Sequence, residues 1–180
     1  MKVSVIGGGT MGNGIAHVFA QCGHDVTLID LDQGALDKAL TVIGKNLGRL
    51  VKKERISEAD KDATLSRLGT ATDLAAAADS ELVVEAVFES YEVKKSIFAK
   101  LDEVCGPETV LASNTSRISI TKIAACAKRP EQVIGMHFMN PVPIMKLVEV
   151  ISGQATDPAV LTRVMELSKE LGKVPVAVED

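Results

Sequence analysis

One histidine and one glutamate carry the acid–base potential of this chain. His137 lies near the end of an apolar run, Val133-Ile134-Gly135-Met136-His137-Phe138, and the loop that follows is stiffened by Pro141 and Pro143. Imidazole takes and returns a proton near neutral pH, so a histidine at the carboxyl end of a strand stands where a substrate could be deprotonated. Further on, Glu149 interrupts Leu147-Val148-Glu149-Val150-Ile151. A carboxylate among strand-forming aliphatics is costly if buried without a partner. Two readings stand. Glu149 pairs with the imidazole, fixing its tautomer and offsetting the charge formed on proton abstraction, or it faces solvent from a half-exposed strand. A second polar group, Ser113-Asn114-Thr115-Ser116, ends the apolar run Leu111-Ala112. In an open parallel sheet ligands bind beyond the carboxyl ends of the strands, which puts Asn114 and Ser116 at a cleft. The same residue types also suit a plain strand-to-helix turn.

The amino terminus carries a different signal. Gly7, Gly9 and Gly12 form G-x-G-x-x-G directly behind the run Val3-Ser4-Val5-Ile6 and ahead of a helical stretch. In that context the glycines permit a tight turn, backbone approach to a pyrophosphate and close helix–strand packing. The helix beginning near Thr10 would aim its free N–H groups at the phosphates. Asp30 closes the second apolar run, where a carboxylate can accept hydrogen bonds from both ribose hydroxyls and would repel a 2′-phosphate. With Leu31 rather than an arginine beside it, the pattern specifies NAD over NADP. Glu85, Glu89, Lys94 and Lys95 follow a later apolar run. They could bracket a nicotinamide ribose, but spacing alone favours plain surface charges.

Short β-rich runs alternate with helical stretches, which predicts a Rossmann-type, doubly wound, mostly parallel α/β sheet. Strands are expected over 2–6, 25–30, 81–87, 109–113, 132–138, 146–151 and 174–178, and helices over 10–22, 33–55, 58–67, 90–104, 119–127 and 157–171. Asp157-Pro158 and Gly172 are start and stop signals for the last helix. The long helix after Asp30 and the shorter one begun at Ser57-Glu58-Ala59-Asp60 read as an inserted helical hairpin after the second strand. Leu36, Leu40, Ile43, Leu47, Leu50 and Val51 form its apolar stripe. Lys45, Arg49, Lys52 and Lys53 lie within an arc of about 100° on the opposite side. That basic face is either simply solvated or an anchor for a phosphorylated ligand, and spacing favours solvation.

The bulk properties narrow the function classes. A net charge of −4 argues against a general nucleic-acid binder. No apolar stretch approaches the roughly 18 residues that span a bilayer. Met1-Lys2 leads straight into a strand, which leaves no room for a leader peptide. Cys22, Cys105 and Cys126 form no C-x-x-C pair and read as reduced thiols of a cytoplasmic protein. His17 and His24 read as structural, and no residues show metal-ligand spacing.

These residues resemble the NAD-binding domain of the L-3-hydroxyacyl-CoA dehydrogenases, and within that family most the bacterial 3-hydroxybutyryl-CoA dehydrogenases. The likeness rests on Val5-Ile6-Gly7-Gly8-Gly9-Thr10-Met11-Gly12, Leu50-Val51-Lys52-Lys53, Ser113-Asn114-Thr115-Ser116, and the block from Gly135 through His137, Asn140-Pro141 and Lys146-Leu147-Val148-Glu149-Val150. It implies oxidation of an (S)-3-hydroxyacyl-CoA by NAD⁺. By the same resemblance His137 is the general base and Glu149 orients and polarises it. Ser116 bonds the substrate oxygen and Asn140 lines that site. Glu89, Lys94 and Asn114 contact the cofactor beside Asp30, while Arg49 and Lys53 hold CoA phosphates. Two positions depart from the family pattern: Arg117, where a small polar residue is usual, and Met139, where phenylalanine is common. Family members continue into a helical domain that forms a homodimer and closes the acyl site. Residues 1–180 are therefore expected to be the NAD-binding domain alone, with NAD bound and little turnover. Two other readings share the fold: a gulonate-type sugar-acid dehydrogenase and a non-catalytic nucleotide-binding protein.

Overall fold

A computed structural model describes residues 1–180. Its eight strands are β1 (Lys2–Ile6), β2 (Asp25–Ile29), β3 (Leu68–Ala71), β4 (Leu82–Glu85), β5 (Val110–Ser113), β6 (Val133–Phe138), β7 (Leu147–Ser152) and β8 (Val174–Glu179). They form one sheet in the order β3-β2-β1-β4-β5-β6-β7-β8. Every pairing is parallel except β6 with β7. The crossovers carry α1 (Thr10–Gln21), α2 (Gln33–Lys52), α3 (Glu58–Ser66), α4 (Tyr91–Val104), α5 (Ile120–Ala124) and α6 (Pro158–Glu170). This is the doubly wound arrangement with a helical hairpin, α2–α3, after β2.

Two helix ends follow directly from local chemistry. Ser57 accepts a hydrogen bond from the Asp60 N–H while Asp60 accepts from the Ser57 N–H, a capping box that starts α3. Asp157 accepts from the Ala159 N–H with Pro158 in the first helical position, and Gly172 at φ 72° stops α6.

Side-chain alternation sorts the sheet into two cores. Val3, Val5, Leu82, Val84, Val110, Ala112, Ile134, Met136, Phe138, Val148 and Val150 pack with α1, α2 and α6 on one face. Ile6, Val83, Leu111 and Val133 pack with α4 and α5 on the other. Because strand neighbours alternate, Glu85, Ser113, His137 and Glu149 all project toward the α4–α5 face. Four polar side chains from four adjacent strands therefore gather on one side of the sheet, near the point where β6 and β7 change direction.

The helix expected over 119–127 is shorter, Ile120–Ala124, as is the strand expected over 81–87, Leu82–Glu85, and two further expectations need correction. The edge strand β3 lies where no strand was predicted, because Leu68-Gly69-Thr70-Ala71 has no apolar alternation and is only partly buried. Helix α2 stops at Lys52 rather than residue 55, because Glu54 adopts φ 54°, a left-handed conformation that ends the helix.

Candidate active site

The glycine turn is built around one steric fact. A Cβ on Gly12 would lie 1.7 Å from the Gly7 carbonyl oxygen, so helix and turn meet with no space for a side chain. Gly7 itself sits at φ 107°, and a Cβ there would be 2.7 Å from the Ala86 oxygen. Gly9 differs: no atom lies within 4 Å of its would-be Cβ, and the residue faces open space at the start of α1. The Asp30 carboxylate beside the turn accepts from the Gly8 N–H at 2.7 Å and from the Asp32 N–H at 2.9 Å. A cleft of about 440 Å³ runs from Gly7, Gly9 and Asp30 over Ile29, Leu31, Val87, Phe88 and Val93. Leu31 and Phe88 are 90% and 80% exposed, so this cleft presents apolar walls to water. Open glycine backbone, a ribose-ready carboxylate and an apolar slot fit an adenine dinucleotide.

The candidate acid–base group gathers at the carboxyl ends of β5 and β6, with Ser116 just past β5, His137 in the last two residues of β6 and Glu149 on β7. In the β6–β7 ladder His137 stands directly opposite Glu149. Nδ1 of His137 and Oε2 of Glu149 are 2.8 Å apart, and on the other side of the ring Nε2 is 3.1 Å from Ser116 Oγ. A carboxylate on Nδ1 sets the tautomer that leaves Nε2 as acceptor, with the Ser116 hydroxyl donating to it. Of the two readings of Glu149, the structure shows the paired one.

The residues around this trio are tied down individually. Asn114 accepts from the Phe138 N–H through Oδ1 at 2.8 Å, linking the ends of β5 and β6. Glu89 Oε1 accepts from Thr115 Oγ1 at 2.6 Å, from the Ser116 N–H at 2.9 Å and from the Arg117 N–H at 3.2 Å. Burial alone would raise the Glu89 pKa; the Thr115 and Ser116 hydrogen bonds and the Lys94 ammonium outweigh it and hold the carboxyl below its usual range. Asn140 precedes a cis peptide bond to Pro141 and lines a groove with Gly8, Gly9, Asn13, Lys38 and Asn46. Val142 of the same loop seats on Gly14 of α1, where a Cβ would come within 2.9 Å. The loop is also held by Lys173, whose buried ammonium donates to the carbonyls of Val142 and Met145. Burial pushes that ammonium's pKa down.

Sequence spacing misplaced Glu85 and Lys94, which it assigned to the surface. Both are enclosed, at 0% and 1% exposure, and joined at 2.7 Å. Their partners come from different elements, so no local pattern announces the pair. Spacing also gave no hint of Lys173 or Asn46. Arg49 donates to Asn46 Oδ1 at 3.3 Å, and Lys53 caps α2; both are exposed, and neither lines the groove where Asn46 lies. His17 is buried in α1 with Nε2 3.1 Å from Gln21 Oε1, and His24 packs edge-on to Phe19, away from the site. The three cysteines are unpaired.

Residues 2–180 match the family described as 3-hydroxyacyl-CoA dehydrogenase, NAD binding domain. The chain belongs to that family. It is 52% identical over its whole length to the 3-hydroxybutyryl-CoA dehydrogenase of Clostridioides difficile, covering 64% of that protein. It is 43% identical to the human mitochondrial hydroxyacyl-coenzyme A dehydrogenase, with 99% of this chain matched to 59% of that one. Among solved structures, 3-hydroxybutyryl-CoA dehydrogenase of Escherichia coli superposes with a TM-score of 0.98 at 49% identity, over 99% of this chain and 38% of that chain. The (S)-3-hydroxybutyryl-CoA dehydrogenase of Ralstonia eutropha gives 0.97 at 42% identity, over 99% and 63%. The chain thus spans less than two thirds of each of these proteins, and what it holds is the family's NAD-binding domain.

Proposed function

We propose that this domain serves an NAD-dependent enzyme that interconverts a (S)-3-hydroxyacyl-CoA, short-chain and of the 3-hydroxybutyryl type, with the 3-ketoacyl-CoA. One observation carries the reading: Ser116, His137 and Glu149 form a continuous hydrogen-bonded line beside the cofactor cleft. Bound NAD⁺ supplies the hydride acceptor. His137 Nε2, kept unprotonated by the bond from Nδ1 to Glu149, accepts the proton of the substrate hydroxyl once the Ser116 hydroxyl turns from the ring to the substrate. Glu149 offsets the positive charge that reaches the ring. Ser116 Oγ, 3.1 Å from the same nitrogen, would donate to that oxygen as carbonyl character develops. Asp30 takes the adenosine ribose, with Glu89, Lys94 and Asn114 toward the nicotinamide end. Asn140 lines the reacting site, and Arg49 and Lys53 meet the CoA phosphates at the hairpin's far end.

The relatives' greater length leaves room for a further domain, which by the family resemblance is helical, closes the acyl site and makes a homodimer. No helix here is long and apolar enough to cross a membrane. With three unpaired thiols the protein is read as cytoplasmic, and its net charge of −4 argues against a nucleic-acid partner.

Single-turnover oxidation of NADH by acetoacetyl-CoA, with protein in excess, tests the reading even where steady turnover is slow. His137→Ala should slow it by about 10²–10⁴-fold while NADH affinity stays constant. A His137→Ala protein as fast as wild type would refute the assignment.

A further inference from the structure

The cluster beneath the site contains a residue that the proposed chemistry never touches. Glu85 closes β4, is fully enclosed, and projects from the same face of the sheet as His137. Burying a carboxylate is unfavourable unless it is fully partnered. Glu85 accepts from Lys94 Nζ and from the Val87 N–H, both at 2.7 Å on Oε1, and from Ser113 Oγ at 2.7 Å on Oε2. Two routes lead from these partners to one turn. Through Lys94 the ammonium reaches Glu89 Oε2 at 3.4 Å, and the other oxygen of Glu89 receives Thr115, Ser116 and Arg117. Through β5, Ser113 Oγ accepts from the Thr115 N–H at 3.3 Å.

Resting on the dehydrogenase reading above, we propose that Glu85 is the positioning residue of the active site, holding Ser116 against His137 by way of Lys94, Glu89 and Ser113. The distances explain how. Lys94 sits nearer Glu85 than Glu89, so its ammonium belongs first to Glu85. Freed from Glu85, it would close on Glu89 to about 2.8 Å, drawing that carboxylate roughly half an ångström away from the turn. Hydrogen bonds already at 2.9 and 3.2 Å to the Ser116 and Arg117 N–H groups weaken over such a step. Ser116 Oγ, at 3.1 Å from His137 Nε2, would drift out of reach. Glu85 therefore fixes a point from which the hydroxyl is measured out, and convergence of the two routes on residues 113–117 makes the placement over-determined.

Two variants of the 180-residue chain test this. Glu85→Gln keeps the shape and an acceptor for Lys94 but removes the charge. Glu85→Gln with Lys94→Met removes the buried pair as a unit, a replacement folds commonly tolerate. Thermal unfolding checks that each is folded. Amide hydrogen exchange at Ser116 and Arg117 and the imidazole nitrogen shifts of His137 then report on the turn, with His17 and His24 as references. The expected result is at least about tenfold faster exchange at both amides, the scale of one lost charge-assisted bond: in Glu85→Gln the ammonium draws Glu89 off the turn, and in the double variant Glu89 loses the cation that holds it. The His137 shifts should move while those of His17 and His24 stay put. A purely structural role would lower the unfolding temperature and leave these signals alone. Wild-type exchange and His137 shifts in any variant that folds would overturn the proposal. So would failure of both to fold, since the pair would then serve stability only. No substrate enters these measurements, so loss of the dehydrogenase reading, seen as no hydride transfer by wild type, is registered separately.

Discussion

The glycine turn makes two substitutions that look alike behave in opposite ways. At Gly12 an added methyl would lie 1.7 Å from the Gly7 carbonyl oxygen and 2.9 Å from its carbon. To reach ordinary contact, helix and turn must separate by roughly 1.5 Å. The turn is anchored by the Gly7 N–H to the Ile29 carbonyl at 2.7 Å, and α1 is locked in the core by Ile15, Ala16 and Phe19. Relaxation is therefore poor, and Gly12→Ala should cost about 3 kcal/mol, the upper end for overpacking. For a domain of this size that is roughly a 6–12 °C fall in melting temperature. Gly9 has φ −69° and ψ −170°, open to any residue, with nothing within 4 Å of a Cβ. Gly9→Ala should melt within about 2 °C of wild type. Its methyl would occupy the approach to the pyrophosphate, and losing one charge-assisted bond weakens NADH binding by about 10- to 100-fold. Thermal unfolding and a fluorescence titration with NADH read both effects. Wild-type melting of Gly12→Ala, or wild-type NADH affinity of Gly9→Ala, would refute the steric account.

Glu149→Gln should lower the single-turnover rate by about 10- to 100-fold and leave NADH affinity unchanged, since the side chain is 39% exposed and water screens part of its charge. Reversing the charge at Arg49 or Lys53 should raise KM for CoA thioesters several-fold, more at low salt than at high, and spare NADH binding. His17 gives an acid-sensitive core. Burial holds its pKa below the ordinary histidine value, against the pull of the Gln21 hydrogen bond, and Nδ1 has no partner. The unfolded chain thus takes a proton more readily, so stability is level above about pH 6.5 and falls as pH drops below it. Wild type should melt lower at about pH 5 than at about pH 7, and His17→Gln should narrow that gap, leaving the share that His24 contributes.

Much of this was legible from local pattern. Three glycines between a strand and a helix name the dinucleotide turn because their spacing lies within one strand–turn–helix unit. Asp157-Pro158 and Ser57-x-x-Asp60 are local caps, and both hold. What failed to show was anything assembled across elements. Strand β3 borrows its stability from β2, so Leu68-Gly69-Thr70-Ala71 needs little apolar character of its own. Glu85 and Lys94 look like surface charges until β4 and α4 are packed together. The partner of Glu149 was undecidable by periodicity, because a strand with one solvated face and a strand with one polar pair have the same pattern.

The antiparallel turn from β6 to β7 separates two kinds of change. His137 and Glu149 meet because of ladder register, and their strand neighbours Met136, Phe138, Val148 and Val150 point into the opposite core. Residues 139–146, which join the strands, lie outside that ladder. Away from Asn140 the joining segment is thus free to change composition, provided Val142 keeps its seat on Gly14 and the Val142 and Met145 carbonyls keep their bonds from Lys173. A one-step slip of the ladder, by contrast, would set His137 against Val148 or Val150 and turn Glu149 to the opposite face without altering either residue. Selection can retune the joining segment and leave the His137–Glu149 pair untouched.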